Sequence, residues 1–157
     1  MAMGELLYEG KAKKIFSTGN PDQVVQYFKD DATAFNAQKR GTILEKGVIN
    51  NKVSERLFQL LEQNGIRTHF VERSNDREML TKKVRIVPIE VVVRNVVAGS
   101  LAKRLGLKEG NRIDPAVVEF YYKNDGLGDP LVNDDHLRLM NVATPGVLRE
   151  LRELGHA

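Results

Sequence analysis

Residues Ile86 to Ser100 read IVPIEVVVRNVVAGS, and Pro88 divides the chain at this point. Proline has no N–H and holds the residue before it extended, so Pro88 suits a hinge better than the middle of a sheet. A boundary there separates a sheet-rich N-terminal lobe, residues 1–87, from a mixed second lobe, residues 88–157. Beyond the proline, Glu90 and Arg94 stand four apart in a β-branched run. The two-residue period of a strand puts both on one face and Val91 and Val93 on the other. Opposite charges in such a run need partners or water, because burying them unpaired is costly. The planar fork of Arg94 suits a phosphate or carboxylate. Glu90 could hold a metal-bound water or orient a basic side chain. Ala98-Gly99-Ser100 lets a backbone turn approach a ligand, with a hydroxyl and a helix start that favour an anion. An edge strand with a structural Glu–Arg pair and a Ser100 helix cap describes the same residues equally well.

Upstream, the sequence predicts strands at Leu6–Glu9 and Lys13–Ser17 around a short Gly10-Lys11-Ala12 connection. The turn Gly19-Asn20-Pro21-Asp22 leads to a third strand, Val24–Lys29. Asp30 to Gly41 is polar and aperiodic, and reads as a loop over the sheet, a common place for a lid. Ile49, Val53, Leu57, Leu60 and Leu61 recur at helical spacing, predicting a helix from Glu45 to Asn64 with Gly65 at its end. Strands follow at Thr68–Arg73 and from Glu78 to Val96, broken at Pro88. Downstream come a Ser100-capped helix Leu101–Leu105 ending near Gly106, a strand Val117–Lys123, and a loop Asn124–Pro130. Thr144-Pro145 starts a last helix, Gly146–Leu154. Its Val147, Leu148, Leu151 and Leu154 form an apolar face with little sequence left to cover it. Strands and helices occur in blocks, which predicts an α+β architecture.

Composition removes several classes of function. The 157 residues contain no cysteine, so disulfide frameworks, thiolate zinc sites and cysteine nucleophiles are excluded. The 24 Lys and Arg nearly balance the 21 Asp and Glu, and aromatics are only 6%. Basic residues are spread along the chain instead of forming one basic, aromatic-laced face, which disfavours nucleic acid as a partner. No apolar run approaches the length of a membrane span, and MAMGELLYEG lacks the pattern of a signal peptide. A soluble, cytoplasmic protein is expected. His69, His136 and His156 lack metal-ligand spacing, and neither G-x-S-x-G nor H-E-x-x-H occurs.

Two further clusters could carry chemistry. In Tyr8-Glu9-Gly10-Lys11-Ala12-Lys13-Lys14, a glycine-bearing hairpin tip lets backbone N–H groups approach a polyphosphate while lysines supply point charges. A solvated basic hairpin is the commoner use of such a pattern. Lys123-Asn124-Asp125 with Asp129-Pro130 could bind Mg²⁺ or a substrate amine, although loop acids more often make Asx-turns.

Taken in order, the hairpin, Lys46-Gly47-Val48-Ile49-Asn50-Asn51-Lys52-Val53-Ser54, the stretch Ile86–Ser100, and Lys123-Asn124-Asp125 with Asp129-Pro130 resemble the SAICAR synthetase family. The likeness spans nearly the whole chain, and Pro88-Ile89-Glu90 through Arg94 to Ala98-Gly99-Ser100 is its most specific part. The resemblance implies a two-lobed α+β fold related to ATP-grasp enzymes and protein kinases. It implies an ATP-dependent ligase of purine biosynthesis that joins L-aspartate to carboxyaminoimidazole ribonucleotide through an acyl phosphate, with Mg²⁺. By the same resemblance Gly10, Lys11, Ala12 and Lys13 cover the ATP phosphates, while Ile15 and a strand from Lys82 to Ile86 line the adenine pocket. Arg94 and Ser100 hold the ribonucleotide, Glu90 sits near the metal and the imidazole carboxylate, and Lys123 and Asp129 complete the substrate contacts. Lys11, Lys13 and Glu90 are then the catalytic residues; metal ligands stay unassigned and a homo-oligomer stays open. The family's Asp-x-Lys-x-Glu-Phe-Gly strand and later Ser-Pro-Asp segment do not occur. The expectation is therefore the family's N-terminal portion, truncated at its C-terminus. A noncatalytic nucleotide-binding module of the same fold and a basic nucleic-acid-binding domain are the alternatives.

Overall fold

The structure is a computed structural model that describes residues 3–34 and 39–157. The chain divides into two compact units, Met1–Arg85 and Ile86–Ala157.

Unit 1 is built on an antiparallel five-stranded sheet. Its strands are β1 (Leu6–Glu9), β2 (Lys13–Ser17), β3 (Gln23–Phe28), β6 (Phe70–Arg73) and β7 (Glu78–Lys82), in the order β1-β2-β3-β7-β6. The β1–β2 hairpin forms where glycine and alternation place it, and Gly10 N–H donates to the Lys13 carbonyl at 2.9 Å. Asp30 to Gly41 does not form the loop expected of it. β4 (Asp31–Ala34) and β5 (Lys39–Thr42) pair as an antiparallel ribbon, and the middle of that stretch, 35–38, lies outside the described residues. A paired ribbon satisfies backbone groups that a loop would leave to water, so a polar composition did not exclude strands.

The helix α1 (Lys46–Gln63) lies where periodicity puts it, but its apolar stripe faces outward. Ile49, Val53 and Leu57 are each at least half exposed. The packed side carries Gly47 and Asn51, with Phe58 stacked on Phe70 at 5.8 Å between ring centroids. A Cβ on Gly47 would stand 2.3 Å from the Phe28 carbonyl oxygen, so only glycine lets the helix start this close to β3. Asp30 accepts from that Gly47 N–H at 2.8 Å and grips Arg77 through both carboxylate oxygens at 2.7 and 2.9 Å. Chiefly because of Arg77, and then Gly47, the Asp30 carboxyl is held at about 2.

Unit 2 is a three-stranded antiparallel sheet in the order β10-β9-β8, made of β8 (Ile89–Val96), β9 (Arg112–Tyr122) and β10 (Leu131–Val132). It also carries α2 (Gly99–Leu105), α3 (Asp134–Leu139) and α4 (Pro145–His156). Thr144 caps α4 by accepting from Val147 N–H, with Pro145 in the first turn, as its sequence predicts. The apolar face of α4 is covered in its middle: Leu148 is 2% exposed and joins Phe120 and Leu137 in the core, with Leu151, Ile89, Val91 and Val118 packed around them, while Leu154 near the end of the helix stays 48% exposed. What covers it is the sheet, brought back over the helix by topology that periodicity alone does not reveal. Gly155 lets α4 approach until a Cβ would meet Val93 and Val118 methyls at 3.3 and 3.5 Å. Two local expectations fail. Lys82 ends β7 and the residues to Ile86 are not a strand. Ser100 lies inside α2, whose N-cap is Ala98 with no side-chain cap bond.

Candidate functional site

The predicted phosphate-handling residues of unit 1 sit at and just beyond the β1–β2 turn. Lys11 is exposed at the tip, beside partly buried Gly10 and Ala12. The Ala12 carbonyl accepts from Lys29 N–H at 2.8 Å, which ties the tip to the end of β3. Lys29 also bridges Glu9 and Asp31 at 2.7 and 2.6 Å. On β2, Lys13 and Ile15 are two residues apart and therefore share a sheet face; both are partly buried. Lys13 donates to Gln26 Oε1 at 3.2 Å, and its ammonium stands 4.7 Å from the centroid of the Phe28 ring. Burial pushes the Lys13 pKa down. Lys82 is exposed and donates to the Thr68 carbonyl at 3.4 Å. Ile86 belongs to the other unit, where it is largely exposed.

In unit 2 the charged side chains gather on one face of the sheet, beside Val92 and Val117. Register pairs Glu90 with Tyr121, Val92 with Glu119 and Arg94 with Val117, so Arg94, Glu119 and Tyr121 share the face opposite the apolar core. Arg94 Nε donates to Glu119 Oε2 at 2.6 Å, and its outer nitrogen reaches Ser100 Oγ at 3.1 Å and Tyr121 Oη at 3.3 Å. Arg104, from α2, donates to the other Glu119 oxygen and to Tyr121 Oη. Tyr121 in turn donates to Glu119 at 3.0 Å. Burial raises the Glu119 carboxyl, but the bonds from Arg94 and Tyr121 and the charges of Arg104 and Arg94 outweigh it, and its pKa lies below the ordinary value. The Arg94 partner is thus Glu119 and not Glu90, because the diagonal reach to the neighbouring strand is shorter than four residues along one strand. Ser100, displaced from the cap, is aimed at Arg94 instead.

Glu90 is exposed and lies 3.8 Å from Lys123. Lys123 pairs with Asp129 at 2.5 Å, and Asp129 also accepts from Asn124 N–H at 2.7 Å, an Asx-type closure of the loop. Asp129 above all keeps the Lys123 pKa raised. Glu90, Lys123 and Asp129 therefore form one cluster, and Arg94 with Ser100 forms another. Sequence reasoning missed Glu119, Tyr121 and Arg104 in unit 2, and Gln26, His69 and Thr81 in unit 1. Alternation of Glu119 and Tyr121 with Val118 and Phe120 was the signal for the first set, and a glutamine inside Val24-Val25-Gln26 was the signal for the second. Among the described residues no group of three or more His, Asp or Glu side chains gathers to hold a metal.

A family model described as SAICAR synthetase matches residues 6–157. The chain belongs to the SAICAR synthetase family. Phosphoribosylaminoimidazole-succinocarboxamide synthase of Clostridium botulinum (strain Okra / Type B1) is 57% identical over 151 residues, covering 96% of this chain and 64% of that protein. The present chain thus spans less than two thirds of that relative's length. Among solved structures, the synthase of Ehrlichia chaffeensis superposes with a TM-score of 0.91 at 47% identity, over 96% of this chain and 63% of that one. A SAICAR synthetase in complex with ADP superposes with a TM-score of 0.90 at 43% identity over the same shares. The mixed α and β architecture with antiparallel sheets is therefore that of SAICAR synthetases. No helix among the described residues is long and apolar enough to cross a membrane.

Proposed function

We propose that this chain carries the nucleotide and ribonucleotide contacts of an ATP-dependent ligase that joins L-aspartate to carboxyaminoimidazole ribonucleotide, in a cytoplasmic route to purines. The observation that carries the reading is the pairing of two separate cation sets with family membership. Lys11 stands at the tip of a glycine-bearing hairpin in unit 1 and Lys13 starts its second strand, and in unit 2 the Arg94 fork reaches Ser100. The ADP complex of a relative supports nucleotide as the ligand of this family. In this proposal the two units are the lobes of a fold related to ATP-grasp enzymes and protein kinases, unit 1 taking ATP and unit 2 the ribonucleotide.

A carboxylate is a poor acyl donor. In the first step a carboxylate oxygen of the ribonucleotide attacks the γ-phosphorus of ATP, the bond to the bridging oxygen breaks, and ADP leaves. In the second, the aspartate amine attacks the acyl carbon, phosphate leaves and the amine gives up a proton. Phosphoryl transfer of this kind depends mainly on positioning and charge neutralisation. Gly10 and Ala12 let backbone approach the phosphates, Lys11 and Lys13 meet their oxygens, and Ile15 and Lys82 contact the nucleoside. Arg94 and Ser100 hold the ribonucleotide phosphate, while Glu90, Lys123 and Asp129 contact its imidazole end. Mg²⁺ bound with the nucleotide would take most of its ligands from phosphate oxygens and water, with one or two carboxylates, and would neutralise phosphate charge.

Calorimetry of ATP with Lys11→Ala tests the nucleotide half: affinity is expected to fall about tenfold, the scale of one lost charge-assisted bond. Unchanged affinity would remove the hairpin from the proposal. Relatives named as synthases favour the ligase over a noncatalytic module. Assaying succinocarboxamide formation with all three substrates separates the two, since only the ligase turns over.

A further inference from the structure

Gln26 is 7% exposed near the middle of the unit 1 sheet. A polar side chain in that position is retained only if its bonds are made, because an unmade buried bond is costly. Gln26 makes bonds at both ends of its amide. Oε1 accepts from Lys13 Nζ on β2 at 3.2 Å. Nε2 donates to Thr81 Oγ1 on β7 at 3.2 Å and lies 3.0 Å from His69 Nε2, just before β6.

These contacts fix the orientation of the amide. An ammonium has donors only, so the oxygen must face Lys13 and the NH₂ must face Thr81 and His69. His69 Nε2 is therefore the acceptor, with the ring proton on Nδ1. Burial, then the charges of Lys13 and Lys82, hold the His69 pKa below its ordinary value, which agrees with a neutral ring. Phe58 closes the other side of that ring, edge-on at 5.0 Å. The partner that Lys13 receives is a neutral amide. A carboxylate there would compete with any anionic ligand for the ammonium. An apolar residue would leave a flexible four-carbon stem without a hydrogen-bonded anchor. The Phe28 ring, 4.7 Å away, restrains the ammonium without cancelling its charge.

We propose that Gln26, braced by Thr81 and His69, is a positioning residue that fixes the Lys13 ammonium without neutralising it, for contact with a nucleotide phosphate. It deepens the proposed function and rests on the reading of Lys13 as a phosphate contact. The remaining donors of Lys13 then meet a phosphate oxygen from a preset position, which lowers the ordering cost of binding.

ADP titration of the 157-residue chain by calorimetry tests this with Lys13→Ala, Gln26→Met, Gln26→Glu and the double variant Lys13→Ala/Gln26→Met. Lys13→Ala is expected to weaken ADP about tenfold or more, and Gln26→Met by about five- to tenfold. The double variant should bind no more weakly than Lys13→Ala alone, because Gln26 acts only through the lysine. Gln26→Glu is nearly isosteric, so it carries the test if thermal unfolding shows that Gln26→Met does not fold. Its carboxylate should draw Lys13 into an ion pair and also weaken ADP several-fold. Unchanged affinity in a folded Gln26 variant overturns the proposal and leaves the phosphate reading of Lys13 standing. An equal loss on both backgrounds also overturns it, by making Gln26 merely structural. Unchanged affinity in Lys13→Ala defeats the phosphate reading itself, and the proposal with it.

Discussion

The two sheets handle polar residues in opposite ways. In unit 2 the strand period sorts them: Phe120, Val91 and Val118 face the helices, while Arg94, Glu119 and Tyr121 take the other side. In unit 1 a buried glutamine and a fully buried threonine sit within the packed sheet, in register with Met79 and Val24 respectively. Segregation lets unit 2 keep a dry core and a separate charged surface. Mixing is tolerated in unit 1 because nearly every buried side-chain polar group has a partner; among the described residues Asn51 Oδ1 is the exception. The difference shows that a charged cluster can be set out on a sheet face by alternation alone, whereas a charge inside a packed face needs neutral polar groups arranged around it.

Breaking the dry side of unit 2 should have the largest effect. Phe120→Ala removes a ring that is 1% exposed, and should lower unfolding free energy by about 3–5 kcal/mol in urea titrations. A loss below 1 kcal/mol would mean that the core is not built around this ring. On the charged side, Glu119→Ala leaves Arg94 and Arg104 without their shared carboxylate and should cost about 2–3 kcal/mol. The sign with pH follows from a depressed carboxyl. Its contribution is fully present above the unfolded carboxylate pKa and disappears as pH falls through the lower folded value. Denaturation scans down the acid range should show this loss in the wild type and a flatter curve in Glu119→Ala.

In unit 1, Gly47→Ala places a Cβ 2.3 Å from the Phe28 carbonyl oxygen, and should destabilise by about 1–3 kcal/mol as α1 shifts away from β3. Thermal melts check this, and an unchanged melting temperature would contradict the close approach. The smallest effect belongs to the outward stripe of α1. Leu57 is 54% exposed, so Leu57→Ser should change stability by less than about 0.5 kcal/mol. A larger loss would show that the stripe is packed in solution.

Much of the architecture was legible before any coordinates. The β1–β2 hairpin, α1, β8, and the capped start of α4 follow from local rules: alternation, helical spacing, a glycine turn, and a threonine–proline start. The same rules put Glu90 and Arg94 on one face of β8. They could not pair Arg94 with Glu119, because the partner is 25 residues away and depends on the β8–β9 register. They also misread Asp30 to Gly41, where strands follow from pairing and not from apolar pattern.

The sequence by itself determined most of the strands and helices and the family, since each is written in spacing between near neighbours or in ordered motifs. Tertiary structure alone decided which side of α1 is packed, what covers α4, and which neutral groups surround Lys13. Those outcomes depend on contacts between strands and helices far apart in the chain, where apolar area, close backbone approach and hydrogen-bond satisfaction compete. In α1 the close approach at Gly47 and the bonds of Asn51 won over the apolar stripe.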